Sequence, residues 1–196
     1  MQFQEAVRRR RMVRSFQAKA VPAEVLERIL DNARRGPSAG FTQGFDLLVL
    51  DAPEQTTRFW EAVSPDRAFA RAGWPGVYRA PVLVVPLAHK QAYLDRYAEP
   101  DKGWSDRDEA RWPVPYWYVD TSFAALLILL TAVDAGLAAL LFGIRDPAAL
   151  RAAFGVPAEY EPIGAIAIGY AAPDRPSRSL QRGRRAPEAM IHRGRW

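Results

Sequence analysis

Arginines near the N-terminus are the clearest chemical signal in this sequence. Arg8 to Arg11 form a run, and Arg14 follows three residues later. If the chain is helical or turns here, Arg10 and Arg14 lie about 6 Å apart and converge on one anion, whereas an extended chain separates them by about 13 Å. A guanidinium group grips phosphate oxygens with two hydrogen bonds, so a converging pair makes a good phosphate site. From composition alone, this arginine run is equally compatible with a solvated face and with a nucleic-acid contact.

A second group of arginines crowds the last 22 residues of the chain. Its members are Arg175, Arg178, Arg182, Arg184, Arg185, Arg193 and Arg195. Only Asp174 and Glu188 oppose them, and the whole chain carries 27 Lys and Arg against 22 Asp and Glu, a net charge of +5. Both ends are therefore electropositive. They suit an anionic partner: the phosphate of a cofactor, nucleic acid or an anionic membrane surface.

Several kinds of chemistry lack the residues that they need. Cysteine is absent, which excludes thiol nucleophiles, iron–sulfur clusters and zinc–thiolate sites, and His89 and His192 are too far apart in sequence to suggest a metal centre. The chain has no G-x-S-x-G, no G-x-G-x-x-G after a strand and no P-loop. Asp106, Asp108 and Glu109 lie among arginines and are interpreted as a solvated loop. Redox chemistry would therefore need an organic cofactor.

The length of 196 residues and the 49% hydrophobic content predict one globular domain, residues 1–196. The N-terminus has no apolar signal-peptide core, so we expect a soluble, cytoplasmic protein. The uncharged stretch Thr121–Val133 has 13 residues, fewer than the roughly 20 that a membrane helix needs, and predicts a buried core helix.

Apolar periodicity predicts helices that alternate with strands, as in an α+β or α/β domain built on one sheet. The predicted helices lie around Phe3 to Val7, from Pro22 to Ala33, over Thr121–Ala135 and from Asp146 to Phe154. The predicted strands are Leu47–Leu50, Val82–Val85, Leu137–Ile144 and Ile163–Ile168. Residues 99–115 are predicted to form a long loop. Residues 173–196 are too polar to form a core of their own, so we expect this tail to pack on another surface.

Five short motifs occur in one order along nearly the whole chain. They are Arg10–Phe16, Pro37–Gln43, Asp120 before an apolar helix that runs into Asp134-Ala135-Gly136-Leu137, Ile166–Tyr170, and Arg184-Arg185 before Pro187. This order resembles the FMN-dependent nitroreductase family, of which the chain looks like a divergent member. The resemblance implies an α+β fold with a central, mostly antiparallel sheet between helices and a basic C-terminal extension. It also implies a homodimer with two FMN sites at the subunit interface, and a tail that packs on the partner subunit.

The resemblance also implies which residues bind the phosphate and the ribityl chain of FMN. Arg10, Arg11 and Arg14 would hold them, with Met12 standing where the family usually has a serine. Arg185 occupies the place of a C-terminal basic residue that reaches the phosphate, and Arg184 is a one-residue alternative.

Two further segments would meet the flavin ring. Ser38 and Gln43 match the P-S-x-x-N-x-Q loop of the family, which approaches the ring from the partner subunit, and Phe41 replaces the common Asn. Phe142 and Gly143 lie where a backbone N–H of the family approaches flavin N5. We expect Phe41 to contact substrate as well.

The implied activity is hydride transfer from NADH or NADPH through flavin N5 to a quinone, nitroaromatic or similar conjugated acceptor, by a ping-pong mechanism. No catalytic side chain and no metal is expected, because the cofactor carries the chemistry. The loop at 99–115 is predicted to be a lid whose Trp104 and Trp112 contact the acceptor; alternatively, these side chains only pin the loop to the partner subunit. The rival functions are a flavin-sequestering or flavin-modifying protein of the same fold and, less favoured, a basic nucleic-acid-binding domain. We expect no nucleic-acid or membrane partner.

Overall fold

The computed structural model describes the whole chain, Met1–Trp196, and contains one antiparallel sheet. Its strands are β1 (Phe45–Leu50), β2 (Val82–His89), β3 (Ala138–Phe142), β4 (Tyr160–Pro162) and β5 (Ala165–Gly169). They lie in the order β1-β2-β5-β3, and the short β4 pairs with the end of β2. This arrangement agrees with the predicted α+β class.

Strand β2 organises the sheet because it pairs with three other strands. Val82 lies opposite Ile168 of β5 at one end, and His89 lies opposite Tyr160 of β4 at the other. Residues 82–88 are all buried. A strand covered on both faces can be apolar without alternation, which explains the continuous hydrophobic run in the sequence.

Seven α-helices cover the two faces of the sheet. They are α1 (Phe3–Arg9), α2 (Ala23–Ala33), α3 (Pro53–Val63), α4 (Ala68–Arg71), α5 (Lys90–Tyr97), α6 (Tyr116–Asp134) and α7 (Pro147–Phe154). Helices α2 and α6 pack together on one face, and α3 and α7 pack together on the other. The sequence did not predict α3, α4 or α5, because α4 and α5 carry no long apolar stripe and the apolar residues of α3 lie only in its second half.

Helix α6 is longer than the sequence predicted. It begins at Tyr116 directly after Pro115, five residues before the expected Thr121, and has 19 residues. It is the one helix whose length and composition would suit a membrane span, and half of its most apolar window is buried inside the protein. Its packing against α2 and β2 is that of the core helix that the sequence predicted.

The core around α6 generates a stability prediction. Ile128 is fully buried among the side chains of α2 and the sheet. Ile128→Ala should lower the free energy of unfolding by about 2 to 5 kcal/mol, because it removes buried apolar contacts and leaves a cavity. Val114→Ala, at an exposed position, is the control and should change it by less than about 0.5 kcal/mol. Chemical denaturation measures both, and an equal effect of the two substitutions would contradict this assignment of the core.

Candidate functional site

A cleft of about 590 Å³ lies between the N-terminal arginine run and the start of the C-terminal tail. Five arginines line it: Arg10, Arg11, Arg14, Arg175 and Arg184. We call it the arginine cleft. Four of these residues were candidates from the sequence, and Arg175 was noted there only as part of the basic tail.

Backbone pairing positions the arginine run at this cleft. Helix α1 ends at Arg9, so the helical convergence of Arg10 and Arg14 that the sequence allowed does not occur. The chain continues extended, and the N–H of Val13 donates to the carbonyl oxygen of Ala139 on β3 at 3.1 Å. The opposite wall is held by Asp174, whose Oδ2 accepts the backbone N–H of Arg14 at 2.7 Å. The two ends of the sequence therefore meet here.

The arginine cleft carries an excess of positive charge. None of its five guanidinium groups lies within 4.0 Å of a carboxylate, whereas half of the ion pairs of the chain lie in α5 and the loop after it. Asp174 is the one acidic residue in the lining. Guanidinium groups in this arrangement suit a multiply charged oxyanion such as a phosphate monoester.

The indole ring of Trp74 lies beside the arginine cleft. The guanidinium carbon of Arg14 is 5.1 Å from the centre of this ring, and that of Arg175 is 4.7 Å from it. The same Trp74 lines a second cavity, of about 260 Å³, together with Trp60, Phe69, Phe142 and Gly143. We call it the aromatic cavity. Trp74 therefore lies between the arginine cleft and a region suited to a flat, apolar ring.

Phe142 and Gly143 contribute differently to the aromatic cavity. The ring of Phe142 stacks on that of Trp60, with 5.3 Å between centres, and meets Phe69 edge-on at the same separation. Gly143 faces open space, because a Cβ built on it would meet no atom within 4 Å. The indole N–H groups of Trp60 and Trp74 are buried and have no hydrogen-bond partner. Unpaired buried donors are rare in native proteins and call for a partner.

The segment Ser38–Gln43 lies far from the arginine cleft within one chain. Its end is tied to the His89 end of β2, where the N–H of His89 donates to the carbonyl oxygen of Gly44 at 3.0 Å. The arginine cleft lies at the Val82 end, next to Ile168 and Ala139. Because a strand rises about 3.3 Å per residue, the two ends of β2 are about 23 Å apart. A single chain thus does not bring Ser38, Phe41 and Gln43 to the arginines.

Trp104 and Trp112 belong to an aromatic cluster on α5 and α6. Trp112 contacts the rings of Tyr93, Tyr97, Trp104, Tyr116 and Trp117, with centres 4.6 to 6.1 Å away. Trp104 contacts Tyr97 at 4.9 Å. A Cβ added at Gly40 would lie 2.7 Å from the ring of Tyr97, so the loop 99–115 and the Ser38–Gln43 segment share this neighbourhood. The structure therefore places the Ser38–Gln43 segment beside this aromatic cluster, through the contact of Gly40 with Tyr97, and apart from the arginine cleft.

Most acidic residues of this loop are paired with basic side chains, and Asp108 instead accepts the backbone N–H of Ala110. Asp106 accepts hydrogen bonds from Arg111 at 2.5 to 2.9 Å, and Glu109 pairs with Lys90 at 2.7 Å. Hydrogen bonds from Arg111 hold the pKa of Asp106 below its usual value. Asp106 and Glu109 are exposed and ion-paired, which agrees with the solvated loop that the sequence suggested and not with an acid–base pair.

The C-terminal tail distinguishes the two candidate arginines before Pro187. Arg184 lines the arginine cleft, whereas the guanidinium of Arg185 donates to the carbonyl oxygen of Ala189 within the tail. The sequence could not separate them, because the choice depends on the backbone path after Gly183. Residues 180–196 are exposed throughout, including the apolar Leu180 and Ile191.

Sequence reasoning missed Trp60, Trp74, Tyr93 and Arg175 as site residues. The helix that carries Trp60 and the turn that carries Trp74 gave no recognised pattern, so neither tryptophan was placed beside the arginines. A signal for Arg175 existed in its position six residues after the last strand, at the start of the basic tail. Tyr93 gave none, because α5 has no clear apolar periodicity.

Comparison with known proteins identifies the class to which this fold and site belong. The chain is a member of the nitroreductase family, whose model matches residues 7–170. A protein of Methanothermobacter thermautotrophicus, provisionally named NADH dehydrogenase/NAD(P)H nitroreductase, is 28% identical over 181 residues, which cover 90% of this chain and 81% of that protein. The family resemblance expected from the motif order is therefore confirmed.

Solved structures agree on the fold. A nitroreductase family protein from Clostridium difficile superposes with a TM-score of 0.74 at 24% identity, and all of both chains is covered. An FMN-dependent nitroreductase from a second strain of that species gives a TM-score of 0.68 at 20% identity, covering 97% of this chain and 98% of its own. The predicted nitroreductase-like α+β fold is confirmed.

Proposed function

We propose that this chain is an FMN-dependent NAD(P)H oxidoreductase. The single observation that carries the proposal is the arginine cleft, five guanidinium groups without a carboxylate partner, joined through Trp74 to an aromatic cavity at Gly143. Bound FMN would supply the redox chemistry, a hydride taken from NADH or NADPH and passed through N5 to a quinone, nitroaromatic or similar conjugated acceptor in a ping-pong reaction. The names of the relatives support the same chemistry.

The residues present fit FMN by the chemistry of their donors. A phosphate monoester carries close to two negative charges at neutral pH and offers three acceptor oxygens. Arg10, Arg14 and Arg184 supply charged donors for it from both walls of the arginine cleft. The aromatic cavity offers flat apolar walls and the open backbone at Gly143 for a ring, and the unpaired indole N–H groups of Trp60 and Trp74 need acceptors.

The protein would position the reaction without a catalytic side chain. Ion pairing in the arginine cleft fixes one end of the cofactor. The packed rings of Trp60, Phe69 and Phe142 exclude water from the other end and lower the local dielectric.

We further propose that a second copy of the chain completes each site. The Ser38–Gln43 segment lies about 23 Å along β2 from the arginines, so it reaches a cofactor only from another subunit. Exposed apolar side chains on the neighbouring helices α1 and α6 offer a dimer surface, namely Phe3, Val7, Phe123 and Leu126. The exposed tail, 173–196, would pack on the partner subunit and bury its apolar residues.

Single arginine substitutions test which residues bind the FMN phosphate. Arg14→Ala and Arg184→Ala should each weaken FMN binding by about 1.5 to 3 kcal/mol, the usual size for a charge-assisted contact. Arg185→Ala is the control, because this side chain bonds within the tail, and it should leave the affinity unchanged. Quenching of FMN fluorescence measures the dissociation constants. Parental affinity in the first two variants would refute the phosphate assignment, and failure of the unaltered protein to bind FMN would refute the proposed function.

The proposed dimer surface predicts a change in oligomeric state. Leu126→Glu, on the exposed face of α6, should convert the dimer to a monomer, because it places an unpaired charge in an apolar interface. Thr57→Glu, at an exposed position on α3, should leave the dimer intact. Analytical ultracentrifugation measures the oligomeric state of both variants. A dimer that persists with Leu126→Glu would mean that this face is not the interface.

The loop 99–115 is proposed as a lid that sets the choice of acceptor. Trp104→Ala should change kcat/KM for quinone or nitroaromatic acceptors at least tenfold, about 1.4 kcal/mol, while FMN affinity stays constant. Trp112→Ala should instead destabilise the fold, since five rings contact this side chain. Steady-state kinetics with several acceptors provide the measurement. Unchanged kinetics would assign Trp104 to packing, and FMN binding without any NAD(P)H turnover would favour a flavin-sequestering protein.

A further inference from the structure

The backbone of the Ser38–Gln43 segment is in an unfavourable conformation that other parts of the protein must stabilise. Gly40, Phe41 and Gln43 have φ values of +62°, +53° and +54°, and the last two carry side chains. Residues other than glycine are disfavoured in this left-handed region, and they persist there only where the surroundings hold them. The side chain of Phe41 is also 77% exposed, so it contributes no buried contacts that would fix the backbone.

Two buried side chains beneath the segment, Asp120 and Tyr93, stabilise this conformation. Oδ2 of Asp120, on α6, accepts the backbone N–H of Ala39 at 2.7 Å and the hydroxyl of Tyr93 at 2.8 Å. Tyr93 is fully buried and Asp120 is 2% exposed. No basic side chain lies within 4.0 Å of Asp120. A buried carboxylate without a cation is costly unless hydrogen bonds satisfy it, and here one of those bonds goes to the segment itself.

Tyr93 fixes the end of the segment by its shape as well as by its hydroxyl. A Cβ added at Gly44 would lie 2.5 Å from the Tyr93 ring, so the backbone rests directly on that ring. Burial, with the hydrogen bond to Asp120, raises the pKa of the Tyr93 phenol far above its usual value. The hydroxyl therefore stays protonated and keeps donating to Asp120 over the whole working pH range. Within the segment, Ser38 Oγ accepts the N–H of Gln43 at 2.8 Å.

We propose that Tyr93 and Asp120 are positioning residues that hold the Ser38–Gln43 segment in the conformation that meets the cofactor of the partner subunit. This inference rests on the proposed function, since the segment needs a fixed shape only if it presents its backbone and Gln43 to a ligand. Neither residue touches the reacting atoms. Both act through the segment, by a hydrogen bond from Ala39 and a contact at Gly44.

Matched variants test this role in the full-length protein. Tyr93→Phe keeps the ring and removes the hydroxyl, Asp120→Ala removes both hydrogen bonds, and Asp120→Asn keeps an acceptor oxygen. Tyr118→Phe is the control, because it also removes a tyrosine–carboxylate hydrogen bond, to Glu161, and neither of these two side chains hydrogen-bonds to the segment. The readouts are FMN affinity, the shape of the visible absorption band of bound flavin, and amide hydrogen exchange of residues 38–44 in the protein without FMN.

Tyr93→Phe and Asp120→Ala should weaken FMN binding at least tenfold, alter the absorption band and accelerate exchange in residues 38–44. Asp120→Asn should recover most of the affinity, and Tyr118→Phe should change none of these readouts. Unchanged affinity, band shape and exchange in the first two variants would overturn the positioning role. If the unaltered protein binds no FMN, the proposed function fails, while hydrogen exchange still reports whether the pair holds the segment.

Discussion

Uncompensated positive charge at one end of the sheet is the constraint on which the rest of the site depends. Five guanidinium groups face one cleft whose only acid is Asp174, and that carboxylate accepts a backbone N–H from Arg14. Binding of a multiply charged anion would relieve the mutual repulsion of these groups, so the cleft suits a phosphate group. The pairing of Val13 with Ala139 and the contact of Asp174 with Arg14 bring the two ends of the sequence together at this cleft.

Distance along β2 is the second constraint, and it divides the proposed site between two chains. The strand places the arginine cleft at Val82 and the Ser38–Gln43 segment at His89, with about 23 Å between them. Each segment has its own support: backbone pairing with β3 at the arginines, and Tyr93 with Asp120 at the other end. A shared site explains why Phe41 remains exposed and why residues 180–196 of the tail are exposed on their own chain.

The sequence predicted those parts of the structure that depend on local pattern. The apolar runs at Leu47 and Val82 became β1 and β2, and the arginines at 10, 11 and 14 line one cleft. It missed what depends on tertiary packing. Trp74 lies beside Arg14 only because α4 and the following turn fold against the cleft, and Arg184 replaces Arg185 there because of the backbone path after Gly183. No periodic pattern in the sequence indicates that Tyr93 lies beneath a loop about fifty residues away in the chain.

The most direct test of a shared site is complementation between two defective chains. One variant, Arg14→Ala with Arg184→Ala, keeps its Ser38–Gln43 segment, and the other, Ser38→Ala with Gln43→Ala, keeps its arginine cleft. Each variant carries a different affinity tag. Mixed dimers are isolated by purification on both tags in turn and are then titrated with FMN. The account predicts that each variant alone binds FMN weakly and that the mixed dimer regains about one site of parental affinity. A mixed dimer that binds no better than its parents would contradict it.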